Sequence, residues 1–562
     1  MCVLAMYDVR GIQAYIFRTN KVKDIIGASR LVEDIIRDAF TASAAEVFAG
    51  RAGIVITEWE KEEGGEIRFF QDNANETVLA QILLIGGGNA YILYRSETDC
   101  VEVNKRMARY ILDVTYSLQL AVSKVSVTGN YFEDYLNVSA KIGDVKASMP
   151  WSKPLGALPV TAVDDVTGYP LTSKADSGEL ISTESERKRR HLPREDKDSK
   201  QFDNLITEKG EESLLAIVHI DGNSMGDMIR TAMQSLSETD RASYSRSIAV
   251  MREISLSIKN SFEGTYRAME EYLSDWLKSD RNKDLDPNGT YLRKIIVAGD
   301  DITFVVNARL ALALTEFFLR DVSAKSITVH SRENEHSRKG GYSREDGHSS
   351  GKESDLPGIS YNISACAGIA FIHSHFPFSI GYEIAEACCK SAKERAKEER
   401  HCADGMIGNW LDFQLCSNVQ LVSLSEYRKR YFRTAEGHSL LKRPYYVDFR
   451  LESMRTETQQ EMNRKNSGYS LVAFKKDLAY FKSPRLKFPR SSLKNMRNTY
   501  ILGEQAMQRL TAFEVSRLRP MPDGTQEAFA PDGCAKWYDA LEMLDLYTDM
   551  EEYDEKAEEA EE

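Results

Sequence analysis

The sequence predicts an α+β protein built from two copies of one unit, each running strand, helices, hairpin, helix, strand, with a largely helical region after them. Three observations carry this. Two apolar runs end in an Asp and a Gly turn, Val3-Leu4-Ala5-Met6-Tyr7-Asp8-Val9-Arg10-Gly11 and Leu214-Leu215-Ala216-Ile217-Val218-His219-Ile220-Asp221-Gly222. Each is followed by a Gly-tipped hairpin pattern, at 82–94 and 295–306. The spacings agree, since Asp8 and Asn89 are 81 positions apart and Asp221 and Asp301 are 80 apart, which is the mark of an internal repeat.

Taken in order, the first copy opens on its Asp8 strand, continues through a helix over 24–48 whose Ile, Leu, Val and Phe recur at helical spacing, and reaches the hairpin Ile82-Leu83-Leu84-Ile85-Gly86-Gly87-Gly88-Asn89-Ala90-Tyr91-Ile92-Leu93-Tyr94. In the second copy the Asp221 strand runs into Gly222-Asn223-Ser224-Met225-Gly226, a small-residue turn that opens a helix. A helix over 239–278, interrupted at Gly264, leads to the hairpin Ile295-Ile296-Val297-Ala298-Gly299-Asp300-Asp301-Ile302-Thr303-Phe304-Val305-Val306. Helix 310–320, a small-and-apolar strand over 361–372, and helix 384–400 with Lys393 and Lys397 one turn apart complete the unit.

The second hairpin presents two adjacent carboxylates on a rigid element. Gly299 supplies the positive φ of a tight turn, and the Ile and Val runs suit buried strands. Asp221, at the end of a neighbouring strand, makes a third. Three converging carboxylates repel one another and call for a divalent cation, and oxygen-only ligands point to magnesium or manganese. In register, Gly87-Gly88-Asn89 of the first copy stands where the second has Gly299-Asp300-Asp301, so the first hairpin lacks both acids and a second metal site is not expected at Asp8.

At 562 residues with a net charge of −13, the chain is long enough for about three domains, and its charge disfavours a protein that grips long nucleic acid by overall surface charge. The eight cysteines form no CxxC pair and no zinc spacing, no apolar segment reaches the length of a membrane span, and no signal-peptide pattern opens the sequence. Cytoplasmic residence is expected. The domain plan is a first unit over 1–150, a polar linker or insert over 151–210 that contains the basic run Arg187-Lys188-Arg189-Arg190, a second unit over 211–420 with a polar, disordered loop at 331–357, and a helical domain over 421–562 ending in an acidic tail.

These residues resemble the palm of the polymerase and nucleotide-cyclase superfamily, and more narrowly the large subunit of type III CRISPR interference complexes. The resemblance rests on Gly11-Ile12-Gln13-Ala14-Tyr15-Ile16-Phe17 and Gly27-Ala28-Ser29 in the first copy, on Asp221-Gly222-Asn223-Ser224-Met225-Gly226 and Ala298-Gly299-Asp300-Asp301 in the second, and on Ala392-Lys393. It implies two ferredoxin-like palm domains in a pseudo-dimer, with synthesis of a cyclic oligoadenylate second messenger from ATP in antiviral defence. Interference subunits with guide and target RNA are the implied partners. Many relatives begin with an HD-type phosphohydrolase domain and carry a cysteine cluster between the palms. This sequence has no His-Asp dipeptide, and it has Tyr169-Pro170-Leu171 and no cysteine between the two copies, so a short form without DNA-nuclease activity is expected.

The roles that follow are these. Asp221, Asp300 and Asp301 are the catalytic acids and the ligands of two Mg2+ or Mn2+ ions. Gly222, Asn223, Ser224 and Gly226, at a helix start, and Gly299 would cradle the triphosphate, although Asn223 and Ser224 taken singly suit an ordinary helix cap equally well. Lys393 would meet the outer phosphates, whereas Lys397 belongs to a solvated face. Gln13 and Ser29 would hold the acceptor nucleotide, with close helix packing as the plainer role of Gly27-Ala28-Ser29. His373 and His375 are surface or packing residues, and Arg187 to Arg190 a solvated loop. A scaffold subunit that holds nucleotide without turnover, and a cyclic-dinucleotide synthase using GTP or mixed nucleotides, are the alternative functions.

Overall fold

The first apolar run forms strand β1 (Val3–Arg10), followed by α1 (Ile12–Phe17), α2 (Val22–Glu33), α3 (Ile35–Val47), β2 (Ile54–Ile56), β3 (Val78–Gly86), β4 (Asn89–Tyr94), α4 (Glu97–Thr115), β5 (Gln119–Ser126) and α5 (Tyr131–Ser148). This computed structural model describes residues 1–61, 67–70, 77–86, 88–150, 160–165, 167–193, 205–206, 213–282, 285–329, 359–416, 422–449 and 456–550. The strands order as β2-β3-β4-β1-β5, antiparallel except for β2 against β3. Helix 24–48 of the sequence reading is two helices: Asp34, with φ −110°, ends α2 and starts α3.

The second unit repeats the plan with β8 (Leu214–Gly222), α7 (Met225–Gln234), α8 (Glu238–Ala242), α9 (Tyr244–Lys278), β9 (Leu292–Ala298), β10 (Asp301–Asn307), α10 (Ala311–Ser323), β13 (Ala365–His373) and α11 (Phe378–Ala396). Its sheet runs β15-β14-β13-β8-β10-β9, with β14 at Trp410–Cys416 and β15 at Tyr445–Tyr446. Leaving out β2, β14 and β15, both sheets have the same order: first hairpin strand, second hairpin strand, Asp strand, last strand. That order is the ferredoxin-like βαββαβ arrangement. The repeat inferred from spacing is therefore a repeat of topology.

Three further expectations are corrected. Gly264 does not interrupt α9, because buried Phe262, Thr265 and Tyr266 pin that turn to the core, and one glycine costs a packed helix only about 1 kcal/mol. The strand over 361–372 is two strands. Ile359–Asn362 (β12) pairs with Ser326–Val329 (β11) in a small separate sheet, and the chain then bends at Ile363-Ser364, where the Ser364 carbonyl accepts from Asn223 N at 2.8 Å. Helix 384–400 starts earlier and ends at Ala396, with Lys397 as its cap. The loop 331–357 and the acidic tail 551–562 lie outside the described residues.

Arg187 to Arg190 do not form a solvated loop. Described residues of the insert fold into a hairpin, β6 (Leu171–Lys174) and β7 (Leu180–Ser182), and the helix α6 (Thr183–Arg190), which lies on α2. Lys188 and Glu184, 1% and 0% exposed, pair at 2.7 Å, and Lys188 also donates to the Tyr15 carbonyl at 2.7 Å. A Cβ on Gly27 would stand 2.0 Å from the Lys188 carbonyl oxygen, so glycine is what lets the two helices touch.

From 422 onward the described residues hold α12 (Leu424–Tyr431), α13 (Glu457–Asn466), α14 (Leu471–Lys482), α15 (Arg490–Thr499), α16 (Glu504–Ser516) and α17 (Tyr538–Met543), around a core that includes Phe481, Met496, Tyr500 and Trp537. Arginines tie this region to the second sheet and to itself. Arg428 grips Asp412 of β14 through two hydrogen bonds of 2.7 and 2.9 Å, and Arg443 pairs with Asp539 and Glu542 at 3.2 and 2.6 Å. Among the described residues no helix is long and apolar enough to cross a membrane.

Candidate functional site

The apolar runs fix the acids in place. β8 and β10 pair so that Asp221 stands directly opposite Asp301, and directly paired residues of an antiparallel ladder project from the same face. Ala298 pairs with Asp301 around a two-residue loop, Gly299-Asp300, and Gly299 has φ +64°, the requirement of a type II′ hairpin at that position. In the first sheet Asp8 pairs with Asn89, and Gly86 with Asn89, around a loop of the same length. Asn89 thus occupies the register of Asp301.

Gly222 makes room for the hairpin. A Cβ there would come within 2.9 Å of the Asp300 carboxylate, and Gly222 N donates to the Asp300 carbonyl at 3.3 Å. Burial, and then the charge of Asp221, push Asp300 up to about 6 and Asp301 up to about 7. Asp301 Oδ1 is buried without a hydrogen-bond partner, and His219 Nδ1 lies 3.5 Å from it. His219 itself is buried, which pushes its pKa down and keeps it neutral, and it shares a 3.1 Å hydrogen bond with Thr303.

Lys393 of α11 reaches the same spot. Its Nζ pairs with Asp221 at 2.6 Å and donates to the Gly222 carbonyl at 2.8 Å. The first unit has a counterpart, because Asp8 pairs with Lys146 of α5, the helix that follows its last strand as α11 follows β13. Each strand-end Asp therefore carries a lysine from the equivalent helix, whether or not the hairpin acids are present.

A cavity of about 490 Å3 opens over these groups, lined by Gln13, His219, Asp221, Asp301, Glu383, Glu386, Lys390 and Lys393 among others. Gln13 comes from α1, and its Nε2 donates to Asp301 Oδ2 at 3.3 Å. The site therefore takes side chains from both repeats. Phe17 of α1 stacks on Tyr382 of α11 with ring centres 3.7 Å apart, which holds the two together.

Other residues singled out from the sequence lie elsewhere. Ser29 donates to the Ile295 carbonyl on β9 and does not line the cavity. Asn223 is not the helix cap: its side chain turns inward, donating to Ser364 Oγ at 3.1 Å and to the Gly408 carbonyl at 3.3 Å. Ser224, at φ +54°, is the N-cap of α7 and caps it with no side-chain hydrogen bond. Gly226 is exposed at the start of α7 with open space around it. His373 and His375 sit at and beyond the end of β13, rings 5.5 Å apart. His219, Glu383, Glu386 and Lys390 were not foreseen. His219 reads as core within an apolar run, but the helical spacing of the other three with Lys393 is a signal that was there to be read.

The donor set suits a hard divalent cation: all-oxygen acids, two of them pushed up by burial and then by the charge of Asp221, and one buried oxygen with no partner. The acids are not closed into a cage. Among the described residues no three His, Cys, Asp or Glu side chains stand together at metal-ligating spacing, and Lys393 serves as the counter-charge of Asp221.

No protein-family model and no curated protein matches the chain. Solved structures do. Among the solved structures it resembles are those of Csm1. Csm1 of T. onnurineus is 13% identical with a TM-score of 0.46, over 100% of this chain and 67% of that one. The Csm1–Csm4 subcomplex of the type III-A CRISPR-Csm interference complex gives 12%, 0.47, and 97% and 69%. The Csm1–Csm4 cassette in complex with cA4 gives 12%, 0.48, and again 97% and 69%. The likeness to Csm1 thus runs over nearly the whole chain.

Proposed function

We propose that the protein is a metal-dependent nucleotidyltransferase that joins ATP into a cyclic oligoadenylate, acting as the large subunit of a type III CRISPR interference complex. In this reading 1–150 and 211–420 are two palms in a pseudo-dimer and 421–562 a helical domain. The observation that carries it is the cross-strand pair Asp221 and Asp301, with Asp300 at the adjoining turn and Gln13 arriving from the other repeat. A pure scaffold has no need to set three carboxylates at adjoining strand ends at the cost of two raised pKa values.

The reaction is attack of a ribose hydroxyl of one ATP on the α-phosphorus of another. A P–O bond forms, and the bond to pyrophosphate breaks. Asp221, Asp300 and Asp301 would hold Mg2+ or Mn2+, which when bound would lower the pKa of the attacking hydroxyl and neutralise the leaving phosphate. Gln13 fixes the Asp301 carboxylate. Lys393, held between Asp221 and the Gly222 carbonyl, offers an ammonium to phosphate oxygens, and the amides at the start of α7 favour the same anion. His219, buried and neutral, keeps water from the inner side of Asp301.

The test is mass spectrometry of products after incubation with ATP and Mg2+ or Mn2+, beside Asp300→Ala/Asp301→Ala. A cyclic oligoadenylate from the parent alone upholds the reading. If neither yields product, other nucleotides, interference subunits and target RNA are added, and silence there sinks the enzyme. One observation favours the scaffold reading, namely that Lys393 already neutralises Asp221. Binding of AMPPNP or cA4, the ligands of the Csm1–Csm4 structures, without turnover would then support it.

A further inference from the structure

The net charge of −13 hides a local reversal. The stretch 478–503 contains no Asp or Glu and six basic residues, Lys482, Arg485, Lys487, Arg490, Lys494 and Arg497. Three of them lie on α15 at i, i+4 and i+7, a spacing that stacks them along one side of a helix. Leu493 and Met496, 4% and 0% exposed, face the C-terminal core from a different side. The rest of the helix surface is Ser491, Asn495 and Asn498, so outside its buried side α15 offers only hydrogen-bond donors and polar groups, with no acid and no apolar anchor. Arg490, 82% exposed, pairs with Asp545 at 3.1 Å. Arg485, Lys487 and Lys494 are exposed and form no ion pair among the described residues.

Such a face suits one kind of partner. Same-sign charges along one surface repel each other, and a polyanion laid over them relieves that repulsion and releases counterions. Phosphodiester oxygens accept from Arg, Lys, Ser and Asn alike. A protein partner would instead need a buried apolar or aromatic centre; α15 itself provides none, and the exposed Ile501 and Leu502 lie beyond its C-terminus, past the last basic residue. We propose that α15 and the loop before it form a nucleic-acid-binding face that grips a sugar–phosphate backbone without reading base sequence. It lies on elements that contribute nothing to the cavity over Asp221 and rests on no part of the nucleotidyltransferase reading.

The test is fluorescence anisotropy of the full chain with a labelled oligoribonucleotide, the same sequence as DNA, and a duplex, over about 50 to 200 mM salt. The parent is expected to bind with an affinity that falls steeply with salt. Arg490→Gln/Lys494→Gln/Arg497→Gln should reduce the log–log slope by about 2 on a single strand and weaken binding at low salt at least tenfold, while Arg490→Lys/Arg497→Lys keeps the slope. Lys487→Gln/Lys494→Gln, which touches only exposed and unpaired residues, should lower the slope by about 1, so the reading stays testable if the triple variant folds poorly. Preference for RNA, or indifference between RNA and DNA, identifies the source of the backbone and upholds the proposal either way. It is overturned if the parent binds none of the three, if the variants keep the parent's slope, or if polyglutamate binds where no oligonucleotide does.

Discussion

Gln13, in the first repeat, donates a 3.3 Å hydrogen bond to Asp301 in the second. This bond favours the ionised carboxylate, working against the burial and the Asp221 charge that push Asp301 up to about 7. Gln13→Leu should therefore raise the Asp301 pKa further and move the pH at which the site binds Mn2+ upward. Calorimetric titration of Mn2+ across pH checks this, and identical profiles for parent and variant would remove Gln13 from the site.

The hairpin acids should make the protein less stable as pH rises. Asp300 and Asp301 titrate at about 6 and about 7 when folded, against about 3.9 unfolded. Between those values the folded state holds more protons than the unfolded one, so stability falls through the window from about pH 4 to about pH 7. Asp300→Asn/Asp301→Asn should then gain several kcal/mol over the parent above about pH 7 and little at about pH 4. Thermal melts at the two pH values measure it. An equal gain at both would mean that the acids are not strained.

A cation that binds these carboxylates relieves the same cost. At about 100 times its dissociation constant, Mg2+ or Mn2+ should stabilise the parent by about 2.7 kcal/mol and leave Asp300→Asn/Asp301→Asn unmoved. Melting curves with and without the ion, in parent and variant, decide it.

Lys393→Met should separate binding from folding. Its partner Asp221 keeps 40% of its side-chain surface exposed, so losing the pair should cost under about 1 kcal/mol of stability. Affinity for AMPPNP should fall at least tenfold, and Lys393→Arg should restore part of it. A variant that melts early and binds normally would make Lys393 a structural residue.

Much of this site could be read in the sequence. The matching spacings of 81 and 80 aligned Asn89 with Asp301, two apolar runs ending in acids brought Asp221 toward the hairpin, and the Gly299 turn followed from the tip between two β-branched runs. What could not be read depends on the third dimension. Gln13 reaches Asp301 where α1 packs on α11 across the repeats, with Phe17 stacked on Tyr382. The insert was misread because charge suggested solvent, whereas Lys188 pays for burial with Glu184 and the Tyr15 carbonyl. Strands β14 and β15 were missed because they extend the second sheet beyond the repeated unit. The split at Ile363-Ser364 was missed because a continuous apolar pattern does not reveal that its two halves join different sheets.

Lys188→Met tests that insert. Combined with Arg18→Met, which removes the other cation at 2.8 Å from Glu184, it would leave Glu184 buried without a counter-charge, a change that costs about 3 to 5 kcal/mol. Chemical denaturation should show a loss in that range, and a loss under about 1 kcal/mol would mean that α6 is only loosely held.

The Asp8–Lys146 pair bears on how one half of a duplicated site can lose its function. An aspartate and its lysine together are close to neutral, so the two hairpin acids beside them can be replaced, as Asn89 replaces one, and each replacement relieves repulsion. Losing the lysine first would leave a crowd of unbalanced negative charge at the end of a buried strand. Decay from four charged groups to two is therefore downhill in one order and uphill in the other, and the ion pair in the first repeat is what the downhill order leaves behind.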